Sequence, residues 1–209
     1  MLHDIHKQYM FSSLDESTVF PNPFDQFEIW QKEAIECKEL EPTAMVVSTV
    51  DEYLQPHSRT VLLKEISVNG FIFYTNYEGH KGRQIAVNNK VSLLFFWPLL
   101  ERQVRIEGKV EKISDALSTA YFLSRPLESR IGAWASPQSQ VIHSKDFLNQ
   151  QFEYYKKKFG TKVPKPPHWG GYIVKPDSIE FWQGRPNRLH DRLLYSAISN
   201  EWEITRLAP

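Results

Sequence analysis

Strand-like segments follow one another along most of this 209-residue chain, and their order constrains the fold more than any other feature. They are rich in β-branched and aromatic residues, which favour strands. In chain order they read "TAMVVSTV" (43–50), "SRTVLLKEI" (58–66), "FIFYTNY" (71–77), "VSLLFFW" (91–97), "RQVRIEGKVEKI" (102–113), "GGYIVKPDSIEFWQG" (170–184), "NRLHDRLLYSAI" (187–198) and "EWEITRLAP" (201–209). Because they do not alternate regularly with helices, they predict a mainly β, α+β fold: an antiparallel barrel or sandwich with peripheral helices.

Local patterns refine this prediction. In "RQVRIEGKVEKI" the alternation places Val104, Ile106 and Val110 on one strand face. Asn69-Gly70 is a hairpin-turn pair between two strand candidates. Helices are predicted in "PFDQFEIWQKEAIECKEL" from about Pro23 to Pro42, in "GHKGRQIAVNN", in "SDALSTAYFLS" after an N-cap at Ser114 and before Pro126, and in "SKDFLNQQFEYYKKKF" before Gly160. Residues 1–20 are expected to form a flexible arm, and residues 21–209 a single domain.

Composition excludes several classes of protein. Lys plus Arg and Asp plus Glu number 25 each, so the zero net charge argues against a general nucleic-acid binder. A single cysteine, Cys37, excludes an intramolecular disulfide framework and a multi-cysteine metal cluster. The chain shows neither a signal-peptide pattern nor an apolar run of about 20 residues, so we expect a cytoplasmic protein without a membrane span.

Standard motifs for phosphate or metal binding are missing from the sequence. It contains no GxGxxG, GxxxxGK[ST] or HExxH pattern, and its histidines are too scattered to predict a metal site. A Ser-His-Asp arrangement stays open, although no GxSxG elbow occurs.

Basic residues recur at every second position in "EFWQGRPNRLHDR". If this stretch is a strand, Arg188, His190 and Arg192 share one face. Because like charges side by side on a sheet are destabilising, the row predicts an anionic or electron-rich ligand.

Two further basic residues, Arg59 and Lys64, are five positions apart in "SRTVLLK". A regular strand would place them on opposite faces and about 16 Å apart along its axis. They therefore bind different anions, or one anion if a bulge or strand end intervenes, or they are two exposed charges beside a core strand.

A helix-spaced set of polar residues surrounds Pro126. Tyr121, Arg125 and Ser129 are separated by four and four, the spacing of one helix face. Since proline is tolerated in the first turn of a helix, Arg125 should lie at a helix junction, and the group is suited to a phosphate. The alternative is a surface arginine in a loop.

The remaining candidates are polar loop residues and aromatic residues beside strands. Gln138 and Ser139 can bind a ring edge or a phosphate, or form a plain turn. Tyr74, Thr75 and Trp182 suit a flat heterocycle, or they are core packing residues.

Taken together, these segments resemble the pyridoxamine 5′-phosphate oxidase family from about residue 42 to residue 209. The matching motifs are "PTAMVVSTVDE", "RTVLLK", "FYTNY", "HKGRQI", "VSLLFFW", "ERQVRIEGK", "YFLSRPLESRIGAWASPQS", "WGGYIVKPDSIEFWQG", "RLHDR" and "RLAP". The resemblance implies an FMN-binding split β-barrel that works as a homodimer with each active site at the subunit interface. It further implies that residues of about 168–209 form a dimerisation and substrate segment.

The resemblance also implies residue roles. FMN would be bound by Arg59, Thr60, Val61, Leu62, Leu63, Lys64, Tyr74, Thr75, His80, Lys81, Gln103, Gln138, Ser139, Trp182 and Arg192. The substrate would be bound by Lys64, Tyr121, Arg125, Ser129, Arg188, His190 and Tyr9, with Arg188 and His190 at the reacting carbon. No metal is implied.

The implied reaction is oxidation of pyridoxamine 5′-phosphate or pyridoxine 5′-phosphate to pyridoxal 5′-phosphate, with O2 as acceptor, H2O2 as product and NH3 released from the amine. Two alternatives are another flavin enzyme of the same barrel class and a non-catalytic flavin- or pyridoxal-phosphate-binding protein. The chain departs from the family pattern at His80 and at His6 in "HKQY", where family members commonly have arginine. Because histidine is only partly charged at neutral pH, His80 predicts weaker and more pH-dependent FMN binding.

Overall fold

The computed structural model describes residues 9–199 and 201–209. Five helices and nine strands occur in this part of the chain. In chain order they are α1 (Pro23–Glu36), β1 (Ala44–Val50), β2 (Pro56–Leu62), β3 (Glu65–Ser67), β4 (Gly70–Asn76), α2 (His80–Val87), β5 (Lys90–Trp97), β6 (Arg102–Lys112), α3 (Asp115–Ser124), α4 (Leu127–Ala135), α5 (Lys145–Phe159), β7 (Trp169–Gln183), β8 (Asp191–Ile198) and β9 (Glu201–Arg206).

All strand pairs are antiparallel, and the strands curl into a half-barrel with the order β2-β1-β5-β6-β7-β4-β3. The 15-residue β7 organises the sheet, because its first part pairs with β4 and its last part pairs with β8. Strand β9 then pairs with β8. The predicted antiparallel, mainly β architecture with peripheral helices is confirmed.

Strand alternation and one helix build the core. Val104, Ile106 and Val110 of β6 are buried, as the alternation predicts. Helix α1 contributes Phe27, whose ring lies 4.9 Å from the rings of both Phe71 and Phe95. Since fully burying such a side chain contributes about 1.5–3 kcal/mol, α1 is held in place mainly by its apolar face.

Helix ends follow local chemistry more closely than proline positions. Ser114 caps α3 by accepting a hydrogen bond from Leu117 N, and Gly160 ends α5 with a φ of 56°, both as predicted. Helix α1, however, ends at Glu36, well before Pro42. The reason is a Schellman motif: Lys38 has a φ of 61° and Glu39 N donates to Ala34 O.

The stretch predicted as one basic strand is not a strand throughout. Pro186–Arg188 form a 3-10 turn, and β8 begins only at Asp191. Asn187 and Arg188 both have positive φ values, 58° and 63°, which a strand cannot accommodate. The prediction that Arg188, His190 and Arg192 share a strand face is therefore wrong, and only Arg192 lies in β8.

The described part of the predicted N-terminal arm, residues 9–20, contacts the domain. Met10 N and Phe11 N donate to Glu101 Oε2, at 2.7 and 2.9 Å. Leu14 is only 4% exposed, and Phe20 O accepts from Tyr195 Oη at 2.8 Å. This differs from the expected loose arm. His6, where the chain departs from the family pattern, lies outside the described residues.

Within the described residues, no helix has both the length and the apolarity needed to cross a membrane.

Candidate active site

A cleft lined by cationic and hydroxyl side chains opens where β2 and β4 meet α2 and the junction of α3 with α4. We call it the cationic cleft, after Lys64, Lys81 and Arg125. It is lined by Thr60, Val61, Leu62, Lys64, Tyr74, Thr75, Asn76, Lys81, Tyr121, Arg125, Pro126, Ser129, Gln138 and Trp169. The structure thus brings together residues as distant in the sequence as Thr60 and Trp169, which are 109 positions apart.

Lys81 lies at one end of the cleft, in the first turn of α2. Its Nζ donates to Thr75 Oγ1 and to Gln138 Oε1, both at 2.9 Å. Burial lowers the pKa of Lys81, and the positive charge of Arg59 lowers it further. No carboxylate of the described residues offsets these effects, so this amine lacks a counter-charge.

Arg59 lies behind Lys81 and is held by neutral acceptors. Its Nη1 donates to Thr49 Oγ1 at 2.6 Å, and its Nη2 donates to Gln84 Oε1 at 3.0 Å. Burial lowers the pKa of Arg59. Two neighbouring cations without a carboxylate between them form a locally positive end of the cleft, which suits an anion.

Arg125 marks the other end of the cleft, at the C-cap of α3. Pro126 follows at the N-cap of α4, one position before the predicted first-turn site, and Ser129 lies in the first turn. Arg125 Nη1 is buried and has no hydrogen-bond partner among the described residues. The guanidinium lies over the Trp169 ring, 4.8 Å from its centroid, and burial lowers its pKa. A buried donor without a partner indicates a missing acceptor.

Three aromatic rings form a parallel stack beside Arg125. Tyr74 and Tyr121 lie 3.8 Å apart at an interplanar angle of 13°, and Tyr74 lies 5.5 Å from Trp169 at 10°. Burial raises the pKa of Tyr74 to about 12, with smaller contributions from Glu65, Tyr121 and Tyr77. The hydroxyl of Tyr74 therefore stays protonated at neutral pH.

Some predicted cofactor residues do not line the cleft. Leu63 is 3% exposed and packs in the core, so its side chain cannot contact a ligand. His80 and Ser139 are exposed neighbours of Lys81 and Gln138, respectively. A Cβ at Gly79, which precedes His80, would lie 2.6 Å from Gln138 Oε1, so a side chain there would displace the amide of Gln138.

A second group of predicted residues forms a row across three strands, on the face opposite to the core. Gln103 of β6 pairs with Trp182 of β7, which pairs with Arg192 of β8. We call these three residues the cross-strand row. None of them lines the cationic cleft of the same chain.

His190 lies beside this row, in the loop before β8. Its ring is 4.6 Å from the Trp182 ring and 5.8 Å from the Tyr9 ring. Arg185 N donates to His190 Nδ1 at 3.1 Å, so the neutral ring carries its proton on Nε2. Partial burial lowers the pKa of His190, and the charge of Arg188 lowers it further, while Asp191 opposes the shift.

The structure adds residues that sequence reasoning missed. Asn76 and Trp169 line the cleft, and Glu180 lies on the same face of β7 as Trp182. Strand alternation in "EFWQG" could have revealed Glu180, since residues 180 and 182 share parity. Trp169 carries no comparable local pattern. Among the described residues, no cluster of His, Cys, Asp or Glu is suited to hold a metal ion.

Comparisons with known proteins agree with this geometry. The sequence model of a family described as "Pyridoxamine 5'-phosphate oxidase" matches residues 31–159, and one described as "Pyridoxine 5'-phosphate oxidase C-terminal dimerisation region" matches residues 169–209. A curated pyridoxine/pyridoxamine 5′-phosphate oxidase from Burkholderia mallei (strain SAVP1) is 54% identical over 211 residues, covering 100% of this chain and 99% of the relative. One from Burkholderia thailandensis is 53% identical over the same shares.

Solved structures show the same fold. PhzG from Burkholderia lata 383, in complex with tetrahydrophenazine-1-carboxylic acid, superposes with a TM-score of 0.89 at 26% identity, covering 95% of this chain and 98% of PhzG. A pyridoxamine 5′-phosphate oxidase-related, FMN-binding protein from Nostoc punctiforme has a TM-score of 0.73 at 16% identity, covering 90% and 98%. The half-barrel is thus the split barrel of these proteins. With a family match over more than half of its length and curated relatives at 54% identity, the chain belongs to the pyridoxamine 5′-phosphate oxidase family.

Proposed function

We propose that the protein is an FMN-dependent oxidase that converts pyridoxamine 5′-phosphate and pyridoxine 5′-phosphate to pyridoxal 5′-phosphate, with O2 as acceptor and H2O2 as by-product. The observation that carries the proposal is the cationic cleft, in which Lys81 and Arg125 lie half-buried without carboxylate partners among the described residues. Full-length relatives with this named activity support it.

The two ends of the cleft fit two separate phosphates. Lys81, Thr75 and Gln138, with Arg59 behind them, would hold the phosphate of FMN. Arg125, Lys64, Tyr121 and Ser129 would hold the phosphate of the substrate. The unpartnered Nη1 of Arg125 gives this second end an unused donor, for which the described residues provide no acceptor.

FMN, when bound, supplies the redox chemistry by accepting two electrons from the substrate and delivering them to O2. The chain contributes binding and orientation. Holding both phosphates would fix the two reactants relative to each other, and such orientation can lower a barrier by about 7–11 kcal/mol.

Arg188 and His190 would act at the pyridine ring of the substrate. The neutral tautomer of His190, set by Arg185 N, leaves an Nε2–H that can donate a hydrogen bond. Because the pKa of His190 is lowered, the ring is mostly neutral at physiological pH and carries no charge that would oppose removal of electrons from the substrate.

The cross-strand row would act in a homodimer. Gln103, Trp182 and Arg192 are absent from the lining of their own cleft, and β7 to β9 match a dimerisation region. We therefore propose that the row of one protomer completes the FMN site of its partner. The cytoplasmic location expected from the sequence stays a prediction.

The test is an oxygen-uptake assay on the purified protein. Under the proposal, the protein is yellow, it bleaches when pyridoxamine 5′-phosphate is added without oxygen, and it then consumes O2 with formation of an equal amount of aldehyde. A spectral change without turnover would instead indicate a binding protein. Failure to bleach or bind would contradict the proposal.

A second substrate tests the alternative that the protein is another flavin enzyme of the same barrel class. PhzG was solved with tetrahydrophenazine-1-carboxylic acid, a compound named with a carboxylic acid and without a phosphate. Since the Arg125 end of the cleft is suited to a phosphate, turnover of that compound should be far slower than turnover of pyridoxamine 5′-phosphate. The reverse order would favour a phenazine-type function.

A further inference from the structure

Glu180 is a buried carboxylate that lies next to the cross-strand row. It is 2% exposed, although its position on β7 faces away from the core. Its Oε1 accepts a hydrogen bond from Arg192 Nε at 2.7 Å. Its Oε2 lies 2.9 Å from Arg105 Nη2, an ion pair that lacks the alignment of a hydrogen bond. One carboxylate thus lies between two guanidinium groups.

Arg192 is fixed from a second side by the C-terminal residues. Its Nη1 donates to Ala208 O at 2.8 Å, and its carbonyl oxygen accepts from Leu207 N at 2.9 Å. Its Nη2 makes no hydrogen bond to any described residue, so one donor edge is left for a ligand. Glu180 raises the pKa of Arg192, in agreement with a strong contact.

We propose that Glu180 is a positioning residue, which holds the Arg192 guanidinium in the orientation that contacts FMN. This inference rests on the proposed function, in which Arg192 belongs to the FMN site. A long arginine side chain loses much rotamer freedom when it binds a ligand, and a guanidinium that is already oriented loses less. Glu180 acts through Arg192 and does not itself touch the flavin.

Positioning and simple charge predict opposite effects for Glu180→Gln. The substitution keeps the size of the side chain but removes a negative charge from the face that would receive an anionic cofactor. If net charge alone mattered, FMN would bind more tightly. If Glu180 positions Arg192, FMN binds more weakly, because the neutral amide is a poorer acceptor for the guanidinium.

The experiment measures the FMN dissociation constant of the full-length protein by titrating the apoprotein with FMN and following quenching of flavin fluorescence. We expect Glu180→Gln to raise Kd about tenfold, the effect of losing roughly one charge-assisted hydrogen bond. The control is Arg105→Gln, which removes the other partner of the same carboxylate; its Kd should stay within about twofold of the wild type, since Glu180 still holds Arg192.

A double-mutant cycle shows whether the effect passes through Arg192. In an Arg192→Gln background, adding Glu180→Gln should change Kd by less than about twofold. An additive effect would overturn the inference, as would an unchanged or lower Kd for Glu180→Gln alone, or equal weakening by Arg105→Gln. If Glu180→Gln does not fold, Glu180→Asp, which keeps the charge but shortens its reach, replaces it under the same criteria.

The wild type in the same assays separates this inference from the proposed function. If it binds FMN but does not oxidise pyridoxamine 5′-phosphate, the proposed reaction fails while the Kd comparison still decides the role of Glu180. If the wild type does not bind FMN, both fail.

Discussion

Lys81 illustrates how a binding residue can destabilise the protein that carries it. Its ammonium group is partly buried beside Arg59 and has only neutral hydrogen-bond partners among the described residues. A lysine whose pKa is lowered on folding disfavours the folded state below its folded pKa. This cost disappears as pH rises from the folded pKa to the unfolded value. The apoprotein should therefore gain stability with rising pH in the alkaline range just below the ordinary lysine pKa.

Lys81→Met tests this cost directly. We expect the variant apoprotein to melt at a temperature equal to or above that of the wild type, to lose the alkaline gain in stability, and to bind FMN at least about tenfold more weakly. Thermal melts of both apoproteins at pH 8 and pH 10 give their stabilities, and FMN titrations give their dissociation constants. A variant that is less stable than the wild type but binds FMN normally would show that Lys81 has a structural role.

Arg125 should determine the affinity for the phosphorylated substrate. Hydrogen bonds to charged groups contribute about 1.5–3 kcal/mol, so Arg125→Ala should raise the KM for pyridoxamine 5′-phosphate by about 10- to 150-fold. FMN should stay bound, because Arg125 lies at the other end of the cleft from Lys81. Steady-state oxygen uptake provides the KM.

The matched control for Arg125 is Arg83→Ala, which removes an exposed arginine of α2 that does not line the cleft. Its KM should equal that of the wild type. Equal KM values for Arg125→Ala and the wild type would exclude a role of Arg125 in binding the phosphate.

At the scale of helices and strands, most of the fold could be predicted from periodicity and capping residues. Three predictions that depend only on neighbouring residues are confirmed: the alternation in β6, the N-cap of α3 at Ser114 and the C-cap of α5 at Gly160. The loop from Gly184 to His190 could not be predicted in this way. Its path depends on positive φ values at Asn187 and Arg188, residue types that adopt other conformations equally well. Side-chain contacts stabilise that path, both within the loop, from Arg185 N to His190 Nδ1, and to the N-terminal segment, from Arg185 Nη1 to Ser12 O.

The segment around Leu14 is tied to β8 and β9 by Arg206. The Arg206 guanidinium donates to Glu16, to Asp191 Oδ1 and to Leu14 O. Asp191 Oδ2 in turn accepts from Leu14 N at 3.1 Å. These contacts connect the N-terminal segment to Asp191, the residue that follows His190. A substitution at Arg206 should therefore affect both the N-terminal segment and the loop that carries His190.

Arg206→Gln should loosen residues 10–16 without unfolding the sheet. Because these ion pairs are largely exposed, the effect is modest, and we expect amide hydrogen exchange in the segment to become about threefold faster. High salt should reduce the difference from the wild type. Lys175→Gln, which removes the exposed Lys175–Glu111 pair between β6 and β7, is the control and should leave this exchange unchanged. Equal exchange in Arg206→Gln and wild type would contradict the prediction.

At the scale of the whole molecule, the residues of the proposed site could be identified from the sequence, but not which protomer supplies each of them. Tyr121, Arg125 and Ser129 meet Lys81 in one cleft, whereas Gln103, Trp182 and Arg192 lie elsewhere on the same chain. A linear pattern cannot tell whether such sets act within one chain or across an interface. Whether a site lies within one chain or across the interface can nevertheless be measured. A defect in the cleft and a defect in the cross-strand row, placed on different protomers of one dimer, affect the same site in one case and different sites in the other.

Hybrid dimers of Lys81→Met and Arg192→Gln protomers decide between the two cases. If each site takes its cleft from one protomer and its row from the other, one site of the hybrid carries both defects and the second site carries none. A hybrid purified through two different affinity tags should then show about half of the wild-type activity, although each parent homodimer is nearly inactive at limiting FMN. If cleft and row served the same protomer, both sites of the hybrid would carry one defect. The hybrid would then be as inactive as its parents, and the shared site would be excluded.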